Sequence, residues 1–374
     1  MSMRITFVIS SMEAGGAQRV MADMANYWAL RGWPVSIITL TGQEVPDFYA
    51  LHPAVVRIPL ALAGDTRSLL HKLGRNVLTL WRLRQEMMAA RTDAVISFLD
   101  VTNVLTLIAT RGLGIRVLVS ERINPAANPE IGLVWQALRR RVYPWADVVV
   151  AQTAAASRWI ETICQGRAVA IPNPLRAMPY SEASRGRFIL SVGRLVPQKG
   201  FDLLLEAFAR IAVDCPDWHV VILGDGPQRQ SLMSQAHALG IGKRVRMPGV
   251  VENPEHWMAQ AGLVVQASRY EGFPNVVMEA MAMGAAVISC DCPSGPSDLI
   301  EDGVNGRLTP VDDVAGLASA MMNLIMDPAE CHRLGQSARQ VRVLFSQSRI
   351  LSCWEALLCP SLVAESDHNG NVNH

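Results

Sequence analysis

The feature that most constrains this chain is a rhythm that runs once, breaks, and starts again. Short apolar runs rich in β-branched residues, at 5–10, 35–39, 55–59, 94–98, 117–120 and 148–152, alternate with stretches of helical periodicity such as 17–31. Runs that are apolar at successive positions suit strands covered on both faces, as in a parallel sheet flanked by helices. The rhythm resumes at 188–192 and continues at 220–223, 245–248, 263–266 and 287–289. Between the two series lie Ile171-Pro172-Asn173-Pro174 and a polar stretch at 179–187. The spacing predicts an α/β chain of two doubly wound, Rossmann-like domains, 1–174 and 175–345. A C-terminal helix over 346–360 and a disordered polar tail over 361–374 complete the expected organisation. At 374 residues, half of them hydrophobic, the chain has enough apolar surface for two cores. The cleft between two such domains is the expected ligand place.

Charge is uneven along the chain. Residues 1–174 hold 18 Lys and Arg against 12 Asp and Glu, a balance of +6, and the remainder holds 16 against 21, a balance of −5. A basic first half suits a diphosphate or an acidic membrane face and is too mild for nucleic acid. The stretch 66–90 sets Lys72, Arg75, Arg82 and Arg84 among leucines and Trp81. Two readings stand: a helix lying on a membrane surface, or a domain helix with a solvated basic face. The N-terminus runs straight into the first apolar run with no signal-peptide plan, and no window reaches a membrane span. A cytoplasmic protein, or one held peripherally on a membrane, is expected. Cys290 and Cys292 stand without a second pair at metal-ligand spacing, which favours buried, reduced thiols over a zinc site.

The loops that should follow the strands carry the chemistry. Gly15 and Gly16 come after the first strand, where bare backbone admits close approach. The pattern is not G-x-G-x-x-G, and the ribose-binding acid is missing after the second strand, which disfavours a nicotinamide cofactor. Gly193-Arg194 and Lys199-Gly200 follow the first strand of the second series and set two cations five residues apart, a spacing that can bracket a diphosphate. Gly224-Asp225-Gly226 and Gly249-Val250 end the next two strands. The loop after the strand at 263–266, Ser268-Arg269-Tyr270, leads into Glu271-Gly272-Phe273-Pro274-Asn275-Val276-Val277-Met278-Glu279. Here a turn feeds a helix with Pro274 in its first turn, whose free N–H groups make an anion site.

These motifs, in this order, resemble glycosyltransferase family 4, the retaining nucleotide-sugar transferases of GT-B fold, over nearly the whole chain. The resemblance implies that Arg194 and Lys199 hold the donor diphosphate. It implies that Glu271 contacts the donor sugar near the reacting carbon and that Glu279 binds the nucleotide ribose. Backbone at Phe273, Pro274, Asn275 and Val276 would hold hydroxyls and phosphate, with Gly15, Gly16, Gly193, Gly224 and Val250 completing the donor side. Residues 96–103 and 120–124 look like the branch that extends polyprenyl-diphosphate-linked oligosaccharides. That likeness places Arg122 beside the reacting carbon, where relatives usually carry histidine; Asp100 and Asn103, with Lys72 and Arg75 of the basic stretch, are expected on the acceptor side. The implied reaction moves a hexose or N-acetylhexosamine from a nucleotide-diphosphate sugar, expected to be UDP-linked, to a lipid-linked glycan. It implies bacterial surface-polysaccharide synthesis at the cytoplasmic face of the inner membrane, with no metal or cofactor. A nucleotide-sugar 2-epimerase of the same architecture is the alternative.

Overall fold

The computed structural model describes residues 2–42, 44, 46–62, 69–123, 132–178 and 184–359, with 69–73 by backbone alone. The chain divides into two compact units, Met1–Pro174 with Ser348–His374, and Leu175–Gln347. The tail expected over 361–374 lies outside the described residues.

The first unit alternates strand and helix: β1 Ile5–Ile9, α1 Gly16–Leu30, β2 Val35–Thr39, β3 Val55–Pro59, α2 Leu69–Ala89, β4 Ala94–Phe98, α3 Asp100–Ala109, β5 Arg116–Ser120, α4 Leu133–Val142, β6 Val148–Ala151, α5 Ala154–Glu161 and β7 Ala168–Ala170. The strands form one parallel sheet in the order β3-β2-β1-β4-β5-β6-β7. Every residue of β1 and β4 is buried, so the sheet centre is covered on both faces. The spacing of Val20, Met21, Met24, Ala25 and Trp28 puts one apolar stripe of α1 on that sheet.

The second unit repeats the plan: β8 Phe188–Val192, α6 Phe201–Ile211, β9 His219–Leu223, α7 Arg229–Ala238, β10 Val245–Gly249, α8 Pro254–Gln260, β11 Leu263–Gln266, α9 Asn275–Ala282, β12 Val287–Cys290, α10 Pro296–Leu299, β13 Arg307–Thr309, α11 Val314–Met326, α12 Pro328–Ala338 and α13 Val341–Leu344. Its parallel sheet runs β10-β9-β8-β11-β12-β13. Two apolar clusters, one holding Phe201, Leu204 and Phe208 and the other Val277, Met278 and Met281, make its core.

The last helix, α14 Gln347–Leu358, packs in the first unit. Trp354 is fully buried and lies 6.3 Å from the Phe98 ring. Glu355 Oε1 accepts from Trp28 Nε1 at 2.9 Å and from Arg31 Nη1 at 3.1 Å. The expected strands are present, and β7 and β13 are additional. Both are three-residue edge strands, paired on one side only and too short to show a buried run.

Candidate active site

In each sheet the strand order reverses about one point, between β1 and β4 and between β8 and β11. Loops leaving the carboxyl ends on either side of such a point diverge and open a crevice. In the first unit these loops carry Gly15 and Gly16 on one side and Asp100 on the other. In the second they carry Gly193, Arg194 and Lys199, and Ser268 with Glu271.

The second unit's switch point is a closed polar cluster. After β8 the chain is pinned by Gly193 N–H to the Leu223 carbonyl and Leu195 N–H to the Asp225 carbonyl, both 2.9 Å. A single 3-10 turn, Pro197–Lys199, then brings Lys199 inward, and Gly200 ends it in the left-handed region at φ 63°. Lys199 Nζ donates to Glu271 Oε1 at 2.6 Å. Ser268 Oγ reaches the same oxygen at 2.7 Å, and Gln266 Nε2 does so at 3.3 Å. Ser294 Oγ donates to the Glu271 carbonyl at 2.9 Å. Glu271 is 7% exposed, and a carboxylate that deep needs a countercharge and donors together. Gln266, Ser268 and Ser294 are supports that the motif reading missed. A glutamine ending an otherwise apolar strand was the available signal for the first of them.

Around this cluster the predicted residues separate. Glu279 is buried within α9. Pro274 is the N-cap of α9, at φ −82° and ψ 77°, and so precedes the first turn in which it was expected. The first helical bond runs from Met278 N–H to the Pro274 carbonyl at 3.1 Å. Asn275 N–H turns back to the Phe273 carbonyl at 2.9 Å, and Val276 and Val277 come ahead of any helical acceptor. The Phe273 ring is core, 6.0 Å from Phe345, and its carbonyl is the acceptor for Asn275 N–H. Arg194 is exposed, and Val250 is 63% exposed.

Gly224 has a packing reason of its own for being glycine. It sits at φ 130°, and a Cβ there would collide with the Gly193 carbonyl oxygen. Close approach between two turns of the protein accounts for this glycine. Gly193 differs, since a Cβ would only touch the Lys199 stem at 3.4 Å.

In the first unit Gly15 caps α1, its N–H facing the Tyr49 hydroxyl at 3.2 Å, and Gly16 opens the helix. Asp100 opens α3, with Oδ1 accepting from Val101 N–H at 2.7 Å. Leu99 before it is held at φ 76°, a region a branched side chain seldom enters. Asn103, expected on the acceptor side, is fully buried. Its Nδ2 donates to the Ser120 carbonyl at 3.0 Å and to the Tyr143 hydroxyl at 3.1 Å, so it ties α3 to the sheet. The Tyr143 hydroxyl donates to Glu121 Oε1 at 2.5 Å, and Arg139 Nη1 lies 3.5 Å from that oxygen. Burial outweighs Arg139 and raises the Glu121 carboxyl to about 7.

Arg122 is buried against the Phe98 ring, 4.2 Å from its centroid. Nη2 donates to Asn173 Oδ1 at 2.5 Å, and Nη1 lies 3.4 Å from Ser120 Oγ. With its amide turned to satisfy both ends, Gln152 donates to the Arg122 carbonyl at 2.8 Å.

On α2, the side chain of Lys72 lies outside the described residues, and Arg75 is half-buried. Arg84 caps α3, donating to the carbonyls of Ala109 at 3.0 Å and Arg111 at 2.8 Å, so it leaves the basic face. Leu78, Trp81 and Met88 are exposed on the same helix, with the Arg82 guanidinium 5.9 Å from the Trp81 ring. No helix among the described residues is long and apolar enough to cross a membrane. Cys290 and Cys292 are buried free thiols, and burial pushes Cys292 up to about 12.

The family model described as Glycosyltransferase Family 4 matches residues 14–176, and that described as Glycosyl transferases group 1 matches 179–341. An α-1,4-N-acetyl-D-galactosaminyltransferase of Campylobacter jejuni, named for a GalNAc-GalNAc-diNAcBac-PP-undecaprenol acceptor, is 30% identical over 95% of this chain and 98% of its own length. A second C. jejuni enzyme, a 4-α-N-acetylgalactosaminyltransferase named for a diphospho-undecaprenol acceptor, is 26% identical over 87% of this chain and 90% of its own. Among solved structures, Anabaena HepE with UDP-glucose superposes with a TM-score of 0.74 at 21% identity, covering 97% of this chain and all of the other. Staphylococcus aureus TarM with UDP gives a TM-score of 0.81 at 14% identity, covering 95% and 99%.

Proposed function

Because the chain belongs to the family 4 glycosyltransferases, we propose that it moves a hexose or N-acetylhexosamine from a UDP-sugar onto a polyprenyl-diphosphate-linked glycan, with retention at the anomeric carbon. The observation that carries the reading is the Lys199–Glu271 pair at the second unit's switch point. Breaking a sugar–diphosphate bond leaves positive charge on the sugar and adds negative charge to the phosphate. Lys199, Arg194 and the N–H groups of Val276 and Val277 meet the phosphate charge electrostatically, and no metal is needed for that. Glu271 spends Oε1 on Lys199, Ser268 and Gln266, which fixes its orientation. Oε2 then serves a hydroxyl of the donor sugar, and Glu279 serves the ribose. Retention with the leaving phosphate taking the acceptor's proton requires no dedicated base. Arg122, Asp100 and the Gly15-Gly16 loop belong to the first unit's share of the substrates.

The undecaprenol acceptors named for both Campylobacter enzymes support a lipid-linked acceptor, and the exposed Leu78, Trp81 and Met88 support a peripheral seat on the inner membrane. None of the relatives described above is an epimerase. The test is a panel of UDP-sugars with an undecaprenyl-diphosphate-linked acceptor, with product linkage read by NMR. Transfer is expected only with acceptor present, and interconversion of UDP-sugars without acceptor would overturn the reading. Lys199→Ala or Glu271→Ala losing less than about tenfold in rate, roughly 1.4 kcal/mol of barrier, would do the same.

A further inference from the structure

The Lys199–Glu271 pair joins two loops that leave different strands, β8 and β11. Lysine carries its charge on a flexible four-carbon stem, so one ion pair does not fix where the ammonium sits. Arg269, two residues before Glu271, supplies what the pair lacks. Its backbone N–H donates to the Gln198 carbonyl at 2.8 Å, and Gln198 Nε2 donates back to the Tyr270 carbonyl at 2.8 Å. Its guanidinium grips Asp202, in the first turn of α6, with Nη1 on Oδ1 at 2.9 Å and Nη2 on Oδ2 at 2.7 Å. Nη1 also donates to the Pro197 carbonyl at 2.7 Å, and Nε lies 3.2 Å from Asp312 Oδ1 on the loop after β13. Lys199 is thus flanked on both sides, at Pro197 and Gln198 and at Asp202, by groups that Arg269 holds. The two loops also touch directly, since a Cβ at Gly200 would collide with the Ala267 carbonyl oxygen. A planar fork bonded at both prongs fixes direction as well as distance.

We propose that Arg269 is a positioning residue of the transfer site: by clamping Pro197, Gln198 and Asp202 to the Glu271 loop, it sets where the Lys199 ammonium meets the donor diphosphate. The inference rests on the glycosyl-transfer reading, which gives Lys199 the diphosphate, and adds to it a residue that acts through Lys199. The Nη atoms of Arg269 are spent on Pro197 and Asp202. Lysine in its place keeps the charge and loses the fork. A clamp that served stability alone would change the melting temperature and leave the folded protein's affinity for UDP as it was.

A double-mutant cycle on UDP binding separates positioning from stability. Calorimetric titration of the full chain reads it, at a temperature where melting curves show every variant folded. Arg269→Lys should weaken UDP by about fivefold in the wild-type background. On Lys199→Ala, where no ammonium is left to misplace, the same change should weaken UDP by less than about twofold. Asp202→Asn removes the fork from the other side. It should repeat both results, and it carries the test if Arg269→Lys does not fold. Equal weakening in the two backgrounds overturns the inference, as does an unchanged affinity for UDP in Arg269→Lys, and either result leaves nucleotide-sugar transfer standing. Failure of the wild type to bind UDP sinks the transfer reading and the inference with it.

Discussion

The two units hold a cation behind a strand end in opposite ways. In the second unit Lys199 meets Glu271 at 2.6 Å, and two further donors converge on the same oxygen. In the first, Arg122 is buried among neutral groups. One cluster is built around an ion pair, and the other holds its cation against an aromatic ring and amide oxygens. Lys199 and Glu271 follow the two strands at the reversal of strand order, β8 and β11, whereas Arg122 follows β5, one strand beyond the reversal.

The strongest way to break the comparison is to dismantle the assembled cluster. Lys199→Ala and Glu271→Ala should each lower kcat by roughly a thousandfold, and the double variant should cost about as much as either alone, because the pair works as one unit. Steady-state kinetics of the three variants reads this, and additive losses would show that the residues act separately.

Next in size is the acid beside Arg122. The Glu121 carboxyl rises from 4.5 to about 7, with burial as the largest cause. A raised folded pKa contributes stability fully below about 4.5 and loses it as pH climbs through about 7. Between pH 5 and 8 the wild type should therefore lose up to about 3 kcal/mol relative to Glu121→Gln. Urea melts of both proteins across that range measure it, and parallel pH profiles would refute it.

Smaller again is the effect of Gly224→Ala, about 2 kcal/mol of destabilisation from the collision with the Gly193 carbonyl. In the first unit Gly114, at φ 68° with open space around its Cβ position, should cost only about 1 kcal/mol as Gly114→Ala. Equal denaturation midpoints for the two would mean that the packing of the two turns contributes nothing. Smallest is the membrane seat. Trp81→Ala with Arg82→Gln should weaken sedimentation with anionic vesicles several-fold, on the order of 1 kcal/mol per charge removed. Unchanged binding would rule out this face of α2.

How much of this the chain declared in its sequence follows from burial. Strands covered on both faces leave an unbroken apolar run, so β1, β4, β8 and β11 were legible to within a residue or two. Edge strands do not need one, and β7 and β13 passed unseen. Lys199 and Glu271, which the structure brings together, stood out in the sequence because each follows a strand end closely. Ser294, which holds the Glu271 carbonyl, lies 23 residues downstream and carried no local sign. Asn103 and Arg84 looked like surface chemistry, because sequence lists a polar side chain without saying which carbonyl it faces.

The placement of α14 has a consequence for how the molecule is made. The first unit is interrupted by the whole of the second and is completed by Trp354 and Glu355. On the ribosome, the domain begun first is therefore finished last. Until the final helix emerges, the Phe98 ring and the indole N–H of Trp28 lack their partners. The second unit, continuous from Leu175 to Gln347, can close while the first still waits. A chain stopped short of Trp354 would leave the first unit without the partners of Phe98 and Trp28.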